Sequence, residues 1–364
     1  MIIGLIGSRG TVPTAEVATV SFLVDNRFLF ECPSEIIQSF YKFQQCWKEL
    51  PEISVHHKIV ALGKPTFGKI SHIILSHLHF DHWGGLAHII HRIILLEKEK
   101  REINPLIIII PKDSTVPFQQ RMRKIYNSMD LNFTLPDDEF FYRLLTIEVG
   151  ESVRTVLQIK VINDGETISL DSDYSLSAKK NNHFILGSYS YKLEFKITKL
   201  NIEKAQKLGI PFNKTLKQIE KSLSPIQIGK HKISRSDIFY EQCTSLCYSG
   251  DTRVNPELFT FFRQSQILIH EATYLMQDES YHLDSHSDIR SLIEEADKLK
   301  TLKVLIPIHF SIRYTEEEIS KCLEDFPRKR YVLINPIEDL IVQIEPDKSV
   351  IVLKRFKSDA SARF

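Results

Sequence analysis

The segment ISHIILSHLHFDHWGGLAHII, residues 70–90, constrains this chain more than any other. An apolar run reads as a buried strand, stops at three histidines and an aspartate within six residues, and gives way after Gly-Gly to apolar residues at helical spacing. Alternate side chains of a strand share a side, so His77 and His79 point together, while Asp81 and His82 fall on the turn that follows. Imidazoles and a carboxylate are the donor set of a divalent ion such as Zn²⁺. A segment of this kind can supply two adjacent ions, and packing the same four groups without an ion would carry a heavy desolvation cost.

The arrangement recurs along the chain. Asp251 ends "CYSGD", His270 and Glu271 end "ILIHE", and His309 ends "VLIPIH", each after an apolar run. Core packing does not explain four strand ends that deliver metal-binding groups, because functional groups gather where rigid strands run into loops. Taken singly, each position keeps a structural alternative. Asp251 can be a turn carboxylate, Glu271 a cap or ion-pair partner, His286 a helix cap and Arg313 half of a surface ion pair. For His270 packing is the favoured reading, and His56, His57, His72, His88, His91 and His282 are assigned no chemistry.

Around these points strands and helices alternate in two similar blocks, which favours one α/β domain of two packed sheets covered by helices over residues 1–364. "ATVSFLVDNRFLFECP" reads as a hairpin turning at Asp25-Asn26, and "PLIIIIP" as a buried strand too short to span a bilayer. Residues 201–223 are lysine-rich and helical, an excursion from the core. With 47 basic and 46 acidic residues, the whole chain lacks the basic excess of a general nucleic-acid binder, although a local basic patch remains open. Five scattered cysteines argue against a disulfide framework and for a reducing, cytoplasmic compartment, and Cys243 and Cys247 have no second pair to complete a metal site. The N-terminus has no basic stretch ahead of its apolar run, which argues against a signal peptide.

The chain resembles the metallo-β-lactamase superfamily, whose hallmark is His-x-His-x-Asp-His at a strand end, and within it the ribonuclease Z branch. The matching pieces run in the family's order from residue 1 to about residue 314: "GSRGTVPT", "SHLHFDHWGGL", "INDGETISL", "NHFILGSYSYKLEF", "KAQKLGIP", "YSGDTR", "HEATY", "HSDI" and "IPIHFSIRY". The resemblance implies an αββα sandwich of two mixed β-sheets flanked by helices. It implies two Zn²⁺, one on His77, His79 and His183, the other on Asp81, His82 and His309, with Asp251 bridging; His231 is the alternative to His183. Mn²⁺ or Fe would suit the same ligands. The family's catalytic helpers map to Glu271 and His286, and Ser311 and Arg313 fall where the family grips a phosphate. Asp81 would orient the attacking oxygen or act as general base. Two ions about 3.5–4 Å apart clamp both the attacking and leaving oxygens of an in-line displacement, so the implied activity is a phosphodiesterase that removes 3′ trailers from precursor tRNA. Homodimers are implied too, with the arm of one subunit serving the site of the other.

Three stretches depart from the branch: "FECPSE", with Glu31 and Pro33, where an Asp-Cys-Gly-like stretch is usual; "FNKTLKQIEK" after "LGIP"; and "HWGGLAHII". They are read as bearing on substrate rather than on metal. The arm stays basic through Lys204, Lys207, Lys214, Lys217 and Lys221, which either seize a tRNA backbone or form a solvated helix face. Two competing functions stay open. One is a small-molecule metallohydrolase of the same fold, such as a lactonase, arylsulfatase or cyclic-nucleotide phosphodiesterase. The other is a non-catalytic metal-binding scaffold.

Overall fold

Strands that are apolar on both faces must be covered on both faces, and the alternation along them assigns each side chain to a layer. In Leu106–Pro111, Leu106, Ile108 and Ile110 pack under helices Ile36–Glu49, Leu86–Lys98 and Thr115–Ser128, while Ile109 joins the layer between the sheets. In Val304–Ile308, Val304, Ile306 and Ile308 face that same middle layer, and Leu305 packs with Leu292 and Ile293 of helix Ile289–Ala296. Three apolar layers therefore separate four layers of structure. This is the αββα sandwich that the resemblance implies.

The computed structural model describes every residue except 15–16, 50–61, 99–105, 129–144, 150–151, 182–187, 212–213, 223, 230, 276–284, 328, 345–348 and 355–364. Among the described residues, the first sheet runs Val350–Lys354, Asp339–Ile344, Ile2–Arg9, Ser21–Val24, Phe28–Phe30, His72–Ile74, Leu106–Pro111, Ser152–Ile162, Leu145–Val149, with Ala18–Thr19 beside Ile2–Arg9. The second runs Val332–Leu333, Val304–Ile308, Ile267–Glu271, Phe239–Tyr248, Tyr189–Leu200, Tyr174–Lys180, Thr167–Ser169. The expected hairpin is present, and Asp25 and Asn26 both have positive φ, 48° and 57°, as a type I′ turn requires. Among the described residues, no helix is long and apolar enough to cross a membrane.

Each sheet has a parallel block: Phe28–Phe30, His72–Ile74 and Leu106–Pro111 in the first, Phe239–Tyr248, Ile267–Glu271 and Val304–Ile308 in the second. Ligands of open α/β sheets bind beyond the carboxyl ends of parallel strands. The Tyr191 hydroxyl donates to the Leu75 carbonyl at 2.8 Å and the Tyr189 N–H to Ser76 at 3.0 Å, which ties the two sheets together where the first block's strands end.

The lysine-rich excursion continues past residue 223. Helices Ile202–Lys207 and Lys214–Lys221, the hairpin Ile226–Ile228 and His231–Ile233, and the turn Arg235–Ile238 enclose Ala205, Ile210, Ile219, Ile233 and Ile238 in a small core of their own. This unit sits at the end of the paired strands Tyr189–Leu200 and Phe239–Tyr248, where Leu200 is registered with Phe239.

Candidate metal centre

The carboxyl ends of the parallel strands bring the sequence-selected residues together. Among the described residues, the ligating atoms of His77, His79 and Asp251 lie within 4.8 Å of one another, as do those of Asp81, His82 and His309. Asp251 spans the two sets: its Oδ2 is 3.6 Å from His77 Nε2 and 3.2 Å from His309 Nε2, and its Oδ1 is 3.4 Å from His82 Nε2. His77 Nε2 and His79 Nδ1 are 2.8 Å apart, at hydrogen-bond distance, so the two rings turn these nitrogens toward one point. Gly250 makes the approach of Asp251 possible, since it has φ 58° and a Cβ there would come within 2.8 Å of Ser76 Cβ.

Second partners fix which nitrogen each ring presents. His77 Nδ1 pairs with Ser76 Oγ at 3.0 Å, which leaves Nε2 for the centre. The Thr273 hydroxyl donates to Glu271 Oε2 at 2.6 Å, so its oxygen accepts from His309 Nδ1 at 2.9 Å and His309 also presents Nε2. Such outer partners orient metal-binding histidines and raise their basicity. His309 itself holds a strained φ of 65°.

These groups fit a pair of divalent cations. The Nε2 atoms of His82 and His309 are buried and have no hydrogen-bond partner among the described residues, yet both face carboxylates. Burial opposes charge on Asp81 and Asp251, but the surrounding imidazoles outweigh it and hold both carboxyls well below the usual range. The converse holds for His82: burial lowers its pKa, and Asp251, Glu31 and Asp81 outweigh that and raise it far above the ordinary value. Carboxylates that draw positive charge onto the imidazoles around them suit dications, whose ligands deprotonate on metal binding.

Beside the two sets, His286 Nδ1 lies 3.1 Å from both oxygens of Glu271. Burial disfavours charge on this ring, and the Glu271 carboxylate outweighs it, raising the pKa to about 9. Glu271 is 1% exposed and also receives the N–H groups of Thr252 and Ser287, so it holds other groups in place. Ser311 is partly exposed and Arg313 exposed, on the turn that follows His309.

His183 lies outside the described residues. Asn181 and Ser188, on either side of that segment, bond to each other through the backbone at 2.9 Å and to the Asp251 carbonyl at 3.3 and 3.0 Å. The alternative, His231, is exposed on the arm hairpin, in none of the ligand groups found among the described residues. His270 is packed: its ring lies against Phe259 and Phe262, and its Nδ1 bonds the Glu271 carbonyl at 2.7 Å. His72 is also structural, buried against Phe28 with its pKa lowered to about 4, chiefly by desolvation. Cys243 is exposed and Cys247 buried, and neither is in a ligand group. Lys204, Lys207, Lys217 and Lys221 are exposed on the arm.

Glu31 corrects the sequence reading. In "FECPSE" it was assigned to substrate, but it is fully buried, with φ 61° and Oε1 3.4 Å from His82 Nδ1. The Ser76 N–H and the Tyr248 hydroxyl bond the same carboxylate. Glu31 therefore backs His82, one of the candidate ligands, and it stands directly after an apolar run, "FLF". Thr273, in "HEATY", was also missed.

A model of the metallo-β-lactamase superfamily matches residues 68–120, which include the hallmark segment. Ribonuclease Z of Thermococcus sibiricus is 29% identical over 260 residues, covering 69% of this chain and 72% of its own. Ribonuclease Z of Archaeoglobus fulgidus is 23% identical over 323 residues, covering 86% and 89%. Among solved structures, the human tRNase Z short form aligns over 86% of this chain and 94% of its own, with a TM-score of 0.50 and 15% identity. A long-form RNase Z from yeast aligns over 94% of this chain and 41% of its own, with a TM-score of 0.52 and 18% identity, and these two likenesses speak to the fold alone. The hallmark segment thus matches the metallo-β-lactamase superfamily, and over about 70% of its length the chain is similar to ribonucleases Z.

Proposed function

We propose that this protein is a dinuclear metal phosphodiesterase of the ribonuclease Z kind, an endoribonuclease that removes 3′ trailers from precursor tRNA. The observation that carries the reading is Asp251 standing between two ligand sets, with His286 paired to Glu271 beside them. His77, His79 and Asp251 would hold one ion, with His183 completing the set. Asp81, His82, His309 and the same Asp251 would hold the other, and zinc suits all of these donors. Bound there, two divalent ions polarise a phosphoryl oxygen and make a water nucleophilic near neutral pH.

The chain's own residues do the rest. Asp81 orients the attacking water with its second carboxylate oxygen. Ser311 and Arg313 hold non-bridging oxygens of the scissile phosphate, the guanidinium as a planar fork. His286 keeps its proton at neutral pH because Glu271 is beside it, and gives it to the departing 3′ oxygen, which would otherwise leave as an alkoxide.

The arm supplies the case for tRNA. On helix Lys214–Lys221, with about 100° per residue, Lys217 and Lys221 fall on one face and Leu216 and Ile219 on the opposite one. Ile219 is buried in the arm's core, and Lys217 and Lys221 are exposed with Lys204 and Lys207 of the neighbouring helix. A basic face on a near-neutral body suits a phosphate backbone. In a homodimer that face would serve the partner's centre, which sedimentation of the purified protein tests. The functional test is metal-loaded protein on a 3′-extended precursor tRNA, beside carboxylic esters and bis-p-nitrophenyl phosphate. Hydrolysis of carboxylic esters alone makes it a small-molecule hydrolase.

A further inference from the structure

Arg9 is a cation at 1% exposure, at the end of the first strand. Its Nη1 donates to two carbonyls of one turn, Ser311 at 3.2 Å and Tyr314 at 2.8 Å, and its Nη2 donates to Glu316 Oε1 at 2.9 Å. The Thr14 hydroxyl donates to the same Glu316 oxygen at 2.8 Å. Main-chain bonds flank this grip: the Gly10 N–H donates to Phe310 O at 2.9 Å and the Phe310 N–H to Ser8 O at 3.1 Å. The turn that carries Ser311 and Arg313 is thus closed around a guanidinium from the other sheet.

We propose that Arg9 is a positioning residue for phosphate capture, holding the 311–314 turn so that Ser311 and Arg313 meet the scissile phosphate. Arg9 does not touch substrate, since it is buried and its charge is matched by Glu316. Nor is stability a sufficient reason for it, because the Glu316 carboxylate is 33% exposed and an ion pair open to solvent contributes little. What the fork supplies is geometry: two carbonyls three residues apart are fixed against one rigid plane. The exposed Arg313 lies between those carbonyls in the chain, so the grip fixes the backbone from which its side chain extends.

The inference rests on the reading that Arg313 binds phosphate, and a double-mutant cycle separates the two. On bis-p-nitrophenyl phosphate, with metal-loaded protein, Arg313→Ala should raise KM at least tenfold. Arg9→Met should raise KM by roughly ten- to a hundredfold, with kcat and metal content near those of wild type. In the Arg313→Ala background Arg9→Met should then add little, because the side chain it positions is gone. Glu316→Gln, which keeps the turn's volume, should show the same pattern at smaller size if Arg9→Met folds poorly. Unchanged KM in Arg313→Ala, or no phosphodiester hydrolysis by wild type, overturns the phosphate reading and this inference with it. If Arg313→Ala behaves as expected but the two substitutions multiply, or Arg9→Met loses metal in proportion to activity, the positioning role is wrong and the phosphate reading stands.

Discussion

The metal centre and the lysine arm are built on opposite physical terms. At the centre nearly every group has a second partner, and two residues outside turns, Glu31 and His309, hold positive φ at a cost of order 1–3 kcal/mol each. The arm has a small aliphatic core and presents its charges on exposed side chains. A centre that must place several atoms within a few tenths of an ångström needs such over-determination. A surface that meets a polyanion needs only charge density. Damage at the centre should therefore be steep and insensitive to salt, and damage in the arm shallow and salt-dependent.

The largest break should come from Asp251→Ala. Removing the carboxylate between the two sets should reduce bound metal from two ions per chain to one or fewer and bring hydrolysis to background, read by metal analysis beside a rate assay. Two bound ions with wild-type turnover would remove Asp251 from the shared position. Next, His286→Ala should lower kcat by roughly 10²–10⁴-fold, the usual contribution of a positioned proton donor, while metal content holds. The wild-type rate should fall as pH rises through about 9, where the folded His286 loses its proton. Glu271→Gln removes what raises that pKa, so the alkaline limb should move to lower pH. A limb that stays in place would separate Glu271 from proton transfer.

A smaller effect is expected at Glu31, which acts through His82. Glu31→Gln should weaken metal binding about 10–100-fold, measured by competition with a chelator, and an unchanged affinity would return Glu31 to a packing role. The arm should give the mildest change. Replacing Lys217 and Lys221 by alanine should leave hydrolysis of bis-p-nitrophenyl phosphate unchanged. It should also lower the slope of log affinity for tRNA against log salt by about 0.7–0.9 per lost phosphate contact. An unaltered slope would make these lysines a solvated face.

The same contrast explains what was legible in the sequence. His77, His79, Asp81 and His82 cluster just past one apolar strand, and Asp251 and His309 at the ends of two others, so the strand pattern carries them to one edge. Glu31 follows the same rule after Phe28–Phe30, but no histidine stands beside it in the chain to mark it as part of the cluster. Only the pairing of Phe30 with Ile74 in neighbouring parallel strands places Glu31 behind the motif. Thr273 was hidden because a hydroxyl between Glu271 and His309 has no pattern of its own in the sequence. The arm's extent beyond residue 223 was obscured for another reason: its hairpin strands are three residues each, too short for alternation to register.

The most direct measurement is cleavage of a 3′-extended precursor tRNA by zinc-loaded wild-type protein, with Asp81→Asn and a chelated sample alongside. The account predicts one endonucleolytic cut that releases the trailer as a single piece, absent from both controls. An RNA left intact at enzyme excess, by protein that hydrolyses carboxylic esters in the same buffer, would contradict it.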